Sequence, residues 1–95
     1  MLDLTQTARE ELKRVGEERR LEPGRLLRLA VPPVWTGDGE WGIVIDQRGA
    51  ADIAYAHEGS TVLVVEAEVA EALANAILDF KRDKPPGPRF TLDVY

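Results

Sequence analysis

Leu4, Ala8, Leu12 and Val15 recur at helical spacing through the first fifth of the chain, which predicts a helix from Leu4 to about Arg19 with one apolar stripe. Thr7 and Glu10 form the Thr-x-x-Glu pattern that satisfies exposed amide donors at a helix start, and Thr5 is a competing cap half a turn earlier. Pro23-Gly24 then supplies a fixed φ followed by a residue tolerant of positive φ, the chemistry of a type II turn. From Arg25 to Val31 the period changes to two. Leu27, Leu29 and Val31 share one face and Leu26, Arg28 and Ala30 the other, as in a strand buried mainly on one side.

Pro32-Pro33 ends that strand. Trp41, Ile43 and Ile45 define a second one, Ile53 and Tyr55 mark a third near Asp52 to Ala56, and Gln47-Arg-Gly49 reads as the turn between them. His57-Glu-Gly-Ser60 makes another turn. Thr61 to Glu66 is an unbroken β-branched and aliphatic run, which predicts a central strand covered on both faces. Val69, Leu73, Ala76, Ile77 and Phe80 fall on one stripe, predicting an amphipathic helix over 67–80 whose C-terminal end is complemented by Lys81, Arg82 and Lys84. Pro85 to Pro88 reads as a stiff connector, and Phe90, Leu92 and Val94 alternate with Thr91, Asp93 and Tyr95 in a last strand. The order helix, three or more strands, helix, strand predicts an α+β fold with a mixed or antiparallel sheet, and the 95 residues fit one domain over 1–95.

Charge and composition narrow the function. The formal charge is −5, and the basic residues of the first helix are interleaved with Glu10, Glu11, Glu17, Glu18 and Glu22, so a solvated, ion-paired face is expected and no nucleic-acid partner. There is no cysteine, which excludes disulfides, thiol nucleophiles, thiolate zinc sites and ordinary iron–sulfur ligation. No signal-like start and no long apolar run occur, so the expectation is a cytoplasmic protein with no membrane partner. A domain this small removes only about 60% of its unfolded surface from water, which makes self-association an expected route to further burial.

Several of these residues together resemble the A-type iron–sulfur carriers, or HesB-like proteins. Leu4-Thr5 followed by Ala8 and Leu12 is similar to that family's opening helix, Leu27-Arg-Leu-Ala-Val31 to its Leu-Arg-Leu-x-Val strand, and Leu78-Asp79-Phe80, with a glycine and then Phe90 beyond it, to its Ile-Asp-Tyr segment. The resemblance covers nearly the whole chain. It implies a small HesB-like β-sandwich or half-barrel flanked by two helices, a chain that self-associates as a homodimer or higher, and an association with iron–sulfur cluster assembly. Where the family has a Gly-Cys pair this chain has Trp35 and Thr36; where the family has an aromatic residue it has Trp41. The family's Cys-x-Cys would fall beyond Tyr95. The resemblance therefore implies the fold without the cluster, and no cofactor is expected.

The segment from Pro32 to Trp41 is the candidate site. It holds prolines, two glycines, Trp35, Thr36, Asp38, Glu40 and Trp41, a composition that offers rigid contact area and no reactive group, so a partner-binding loop is expected and no catalytic or metal residue is assigned. Trp41 continues the alternation of Ile43 and Ile45 and is expected in the core, whereas Trp35 stands outside any periodic stretch and is open to either burial or exposure as an anchor. Two other readings are kept. One is a hard-metal protein or small enzyme using His57 with Asp38 or Glu40, or paired carboxylates among Asp46, Asp52 and Glu58. The other is a purely structural homo-oligomeric module. The leading expectation is a non-catalytic scaffold or interaction protein, not an enzyme, whose partners are its own copy and a protein of cluster assembly.

Overall fold

The computed structural model describes residues 1–82 and 87–94. The elements run β1 Asp3–Leu4, α1 Gln6–Arg19, β2 Arg25–Ala30, β3 Gly42–Gln47, β4 Asp52–His57, β5 Ser60–Glu66, α2 Ala67–Ala72, β6 Ala76–Lys81 and β7 Arg89–Val94. Two open sheets form, one of order β3-β2-β5-β4 and one of order β1-β6-β7. This is the compact α+β arrangement expected, with mixed pairing: β2 runs antiparallel to β3 and parallel to β5, and β1 runs parallel to β6. Lys84, expected to complement a helix end, Pro85 and Pro86 of the expected connector, and Tyr95 at the end of the last strand lie outside the described residues.

Thr5, not Thr7, caps α1. Its hydroxyl oxygen accepts from the Ala8 amide at 3.1 Å and donates to Asp79 Oδ1 at 2.7 Å, so one side chain both starts the helix and ties it to β6. The apolar stripe of α1 then buries Ala8 and Leu12 completely against β5 and β6. Glu11 is buried too, held by Arg14 below the usual carboxylate range. At the other end Pro23 and Gly24 form the expected turn, with Gly24 at φ 84° and the Arg25 amide bonded to the Glu22 carbonyl at 2.9 Å.

β5 is an interior strand, as its apolar run required: Val62 to Val65 are all buried. A two-residue turn at Glu58-Gly59, both with positive φ, joins it to β4 in the type I′ geometry that matches strand twist. Two expectations need correction. β2 is not half-buried; Leu27, Arg28, Leu29 and Ala30 are all enclosed, because β2 lies inside the sheet and Arg28 is covered by acids on its own face. The helix expected over 67–80 stops at Ala72, and 76–81 is a strand. Ala76, Leu78 and Phe80 also fit a period of two, and six backbone pairs with β7 plus the parallel pairing to β1 outweigh the helical preference of a short alanine-rich segment. Lys81 accordingly complements no helix end; it pairs with Asp79 at 2.7 Å.

The connection from β3 to β4 must cross from one edge of the sheet to the other in the four residues 48–51. Arg28 anchors both of its ends. The guanidinium reaches Asp46 at 3.2 Å and the Gln47 carbonyl at 2.9 Å on the β3 side, and both Asp52 oxygens at 2.7 and 2.5 Å on the β4 side. Asp52 also accepts from the Gly49 amide within the crossing. The sequence reading offered Asp46 and Asp52 as an acid–base pair, but Arg28 holds the Asp52 carboxyl below the usual range, so it carries no proton to donate near neutrality. Glu58, the third acid of that reading, sits apart in the β4–β5 turn.

Removing the cation by Arg28→Met leaves a carboxylate buried without its partner, and the expected loss is about 3 kcal/mol, the lower end for a broken buried pair because the adjoining cleft admits water. Urea denaturation measures it. Asp52, Asp79 and Glu11 all have depressed folded values, so their contribution is complete above the unfolded carboxyl range near about pH 4 and declines as pH falls below it. Denaturation midpoints followed from pH 7 to about pH 2 should fall steeply below that point in the native chain and less steeply in Asp52→Asn.

Candidate partner-binding loop

The loop between β2 and β3 folds around one of its own side chains. The Trp35 amide donates to the Val31 carbonyl at 3.0 Å, which turns the chain back, and the indole Nε1 donates to the Asp38 carbonyl at 3.1 Å. The six-membered ring then lies flat on the backbones of Gly37 and Gly42: a methyl group built on either glycine would penetrate the indole carbons. Neither glycine has a positive φ. They are required here for close approach, not for backbone freedom.

Trp35 is therefore half-buried and faces its own loop instead of projecting as an anchor. Trp41 is also half-buried and packs against the main core, as its alternation with Ile43 predicted. Thr36, Asp38 and Glu40 are exposed along the rim. The exposed large hydrophobic residue of the loop is Val34, 61% exposed. The sequence reading passed over it because a single valine beside two prolines belongs to no periodic stretch.

Val34 stands between two shallow clefts of about 240 and 330 Å³. Arg28 and Glu66 line both clefts; Val69 closes one, Asp46 and Asp52 the other. The loop thus stands over the cation that secures the β3–β4 crossing. It exposes one apolar side chain, Val34, and two acids, Asp38 and Glu40, and its start is stiffened by Pro32 and Pro33. Such a surface can meet a partner with little loss of conformational freedom.

His57 is not drawn into this loop. Its Nε2 lies 3.0 Å from Glu58, which Lys13 also approaches at 3.7 Å. Among the described residues no three His, Asp or Glu side chains gather in a metal-binding group, so His57 with Asp38 or Glu40 has no such arrangement to support it. No helix of the described residues is long and apolar enough to cross a membrane.

Gly42→Ala should displace the Trp35 indole at a cost of about 1 to 3 kcal/mol, the usual penalty of overpacking. In a Trp41→Phe background, where emission comes from Trp35 alone, the spectrum should shift to the red while far-ultraviolet dichroism is retained. An unmoved spectrum contradicts the packing described.

No family model matches the chain, and no curated protein matches it. Among solved structures it superposes on Escherichia coli SufA, described as involved in biosynthesis of iron–sulfur clusters, with a TM-score of 0.65 and 22% identity over 98% of this chain and 84% of that one. It also superposes on IscA, solved with a [2Fe-2S] cluster, with a TM-score of 0.60 and 26% identity over 99% and 82% of the two chains. With its two helices and its unclosed, mixed sheets, this is a cysteine-free chain with the HesB-like fold of the A-type iron–sulfur carriers.

Proposed function

We propose that residues 1–95 form one HesB-like domain that acts in the cytoplasm as a non-catalytic scaffold or interaction protein of iron–sulfur cluster assembly, without holding a cluster itself. The observation that carries this reading is the state of the β2–β3 loop. The resemblance puts a Gly-Cys pair where this chain has Trp35 and Thr36, and here that position is occupied by an indole packed onto Gly37 and Gly42. Cluster irons take thiolate, and none of the 95 residues supplies one. What the loop offers instead is shape: an exposed Val34 on a proline-stiffened turn, with Thr36, Asp38 and Glu40 exposed further along the same loop. An apolar tip with a charged rim is the usual anatomy of a small protein-binding surface.

Purified protein incubated anaerobically with ferrous iron and sulfide and then desalted should stay colourless and iron-free. A brown species carrying stoichiometric iron would overturn the reading. A second arm addresses the surface: Val34→Asp should abolish retention of a cluster-assembly protein from the native host with the fold unchanged, while Glu22→Gln, in the Pro23 turn at the opposite end of β2, should not.

A further inference from the structure

Gly16 departs from the rules that shape the rest of α1. Ala8, Leu12 and Gly16 stand four apart along the face that the helix buries, so the stripe calls for an apolar side chain at the third position and the chain supplies a hydrogen. A glycine inside a helix weakens it. Nothing in the fold requires one here, because the backbone has no positive φ and a methyl group built on Gly16 would meet nothing nearer than Leu21 Cδ1 at 3.9 Å. Gly37 and Gly42 leave room for an indole, whereas Gly16 leaves room that no side chain of the protein fills.

Four residues on, Arg20 breaks the converse rule. It closes the helix at φ 50° and ψ 57°, the left-handed conformation for which glycine is the usual residue, and its amide bonds the Glu17 carbonyl at 3.2 Å. Gly16 and Arg20 line one cleft of about 330 Å³, which shares no lining residue with the two clefts beside Val34. Two local rules broken at one cavity, each at a cost to the helix, point to a task for that cavity.

We propose that this cleft binds a free apolar α-amino acid of about the size of leucine or methionine. Its apolar lining is Leu12, Leu27 and Val62, all buried, with Leu21 and Leu26 half-buried beside them. At about 30 Å³ for each water-sized group, 330 Å³ holds roughly eleven of them, which suits one aliphatic amino acid and is too small for a long acyl chain.

The charged lining selects a zwitterion. Glu17 and Arg20 are both exposed, and neither side chain has a hydrogen bond or ion pair among the described residues, so the cleft presents one uncommitted anion and one uncommitted cation. A ligand carboxylate meets the Arg20 guanidinium in a bidentate pair. A ligand ammonium meets Glu17 at the end of α1, where the helix dipole is also negative. Lys13 lines the cleft too, but it is drawn to Glu58 at 3.7 Å, and Ser60 and Thr61 add hydroxyls from the start of β5. A molecule with a single charge would leave either Glu17 or Arg20 unanswered.

L-Leucine added to the isotope-labelled full chain should shift the amide resonances of residues 16–21 and 60–62 saturably, with a midpoint below about 10 mM. N-acetyl-leucine lacks the ammonium, as a peptide carboxyl terminus does, and leucinamide lacks the carboxylate, as a peptide amino terminus does; each should bind roughly tenfold more weakly or worse. Glu17→Gln should erase the preference over N-acetyl-leucine, and Arg20→Gly the preference over leucinamide, with far-ultraviolet dichroism unchanged in both. Gly16→Leu, which fills the cleft from the helix, should weaken leucine binding roughly tenfold or more, while Gly16→Ala should raise the urea midpoint. The absence of saturable shifts, either blocked leucine binding as tightly as leucine itself, full affinity in Gly16→Leu, or a lower urea midpoint in Gly16→Ala would each overturn the proposal.

Discussion

A buried guanidinium governs the larger sheet. β2 and β5 are joined in parallel at the center, with Arg28 aligned to Val64, and the outer strands β3 and β4 belong to opposite edges although they follow one another in sequence. Joining those edges in four residues needs something to hold both ends of the crossing, and Arg28 does so through one acid and one carbonyl from β3 and a bidentate contact to Asp52 at the start of β4. The planar fork suits this task where a lysine would not, since it satisfies three acceptors in fixed directions. The same charge holds the Asp52 carboxyl below its usual range. Carboxylates that looked like reaction chemistry in the sequence are structural for that reason.

Around this fixed point the protein separates two kinds of packing. The main core is aliphatic, built from α1, β2, β5 and β6 around Leu12, Leu29, Leu63 and Leu78. The loop above Arg28 has a packing centre of its own, one indole against Gly37 and Gly42. At its centre is a bulky ring whose hydrogen bond is to its own backbone. A shared fold fixes the scaffold on which such a loop stands, and the loop's own residues fix what it can meet.

Much of this was legible in the residues. Alternation and caps place α1, β2, β5 and β7, the Pro-Gly and Glu-Gly turns announce themselves, and the resemblance in Leu27 to Val31 and Leu78 to Phe80 points to the right fold. The helix over 67–80 failed because Ala76 to Phe80 satisfies periods of two and of 3.6 alike, and the choice is made by β7 and β1, which lie far away in sequence. The burial of Arg28 was hidden for a similar reason: a cation at an alternate strand position reads as solvent-facing until Asp46 and Asp52 are brought to it. At the loop, composition indicated a rigid surface but could not indicate which ring turned inward. That depends on Gly37, which read as flexible, and on Gly42, which lies just beyond the loop; the role of both is to leave room.

The cap on the first helix has a consequence for how the chain is made. Thr5 bonds Asp79 across 74 positions, and the Tyr55 hydroxyl bonds the Leu2 carbonyl across 53. During synthesis α1 therefore emerges 74 positions ahead of its partner in β6, and that side of its apolar stripe stays uncovered until β6 arrives. The dense alternation of arginine and glutamate on its other face keeps the waiting segment soluble, and docking of the helix is timed by β6.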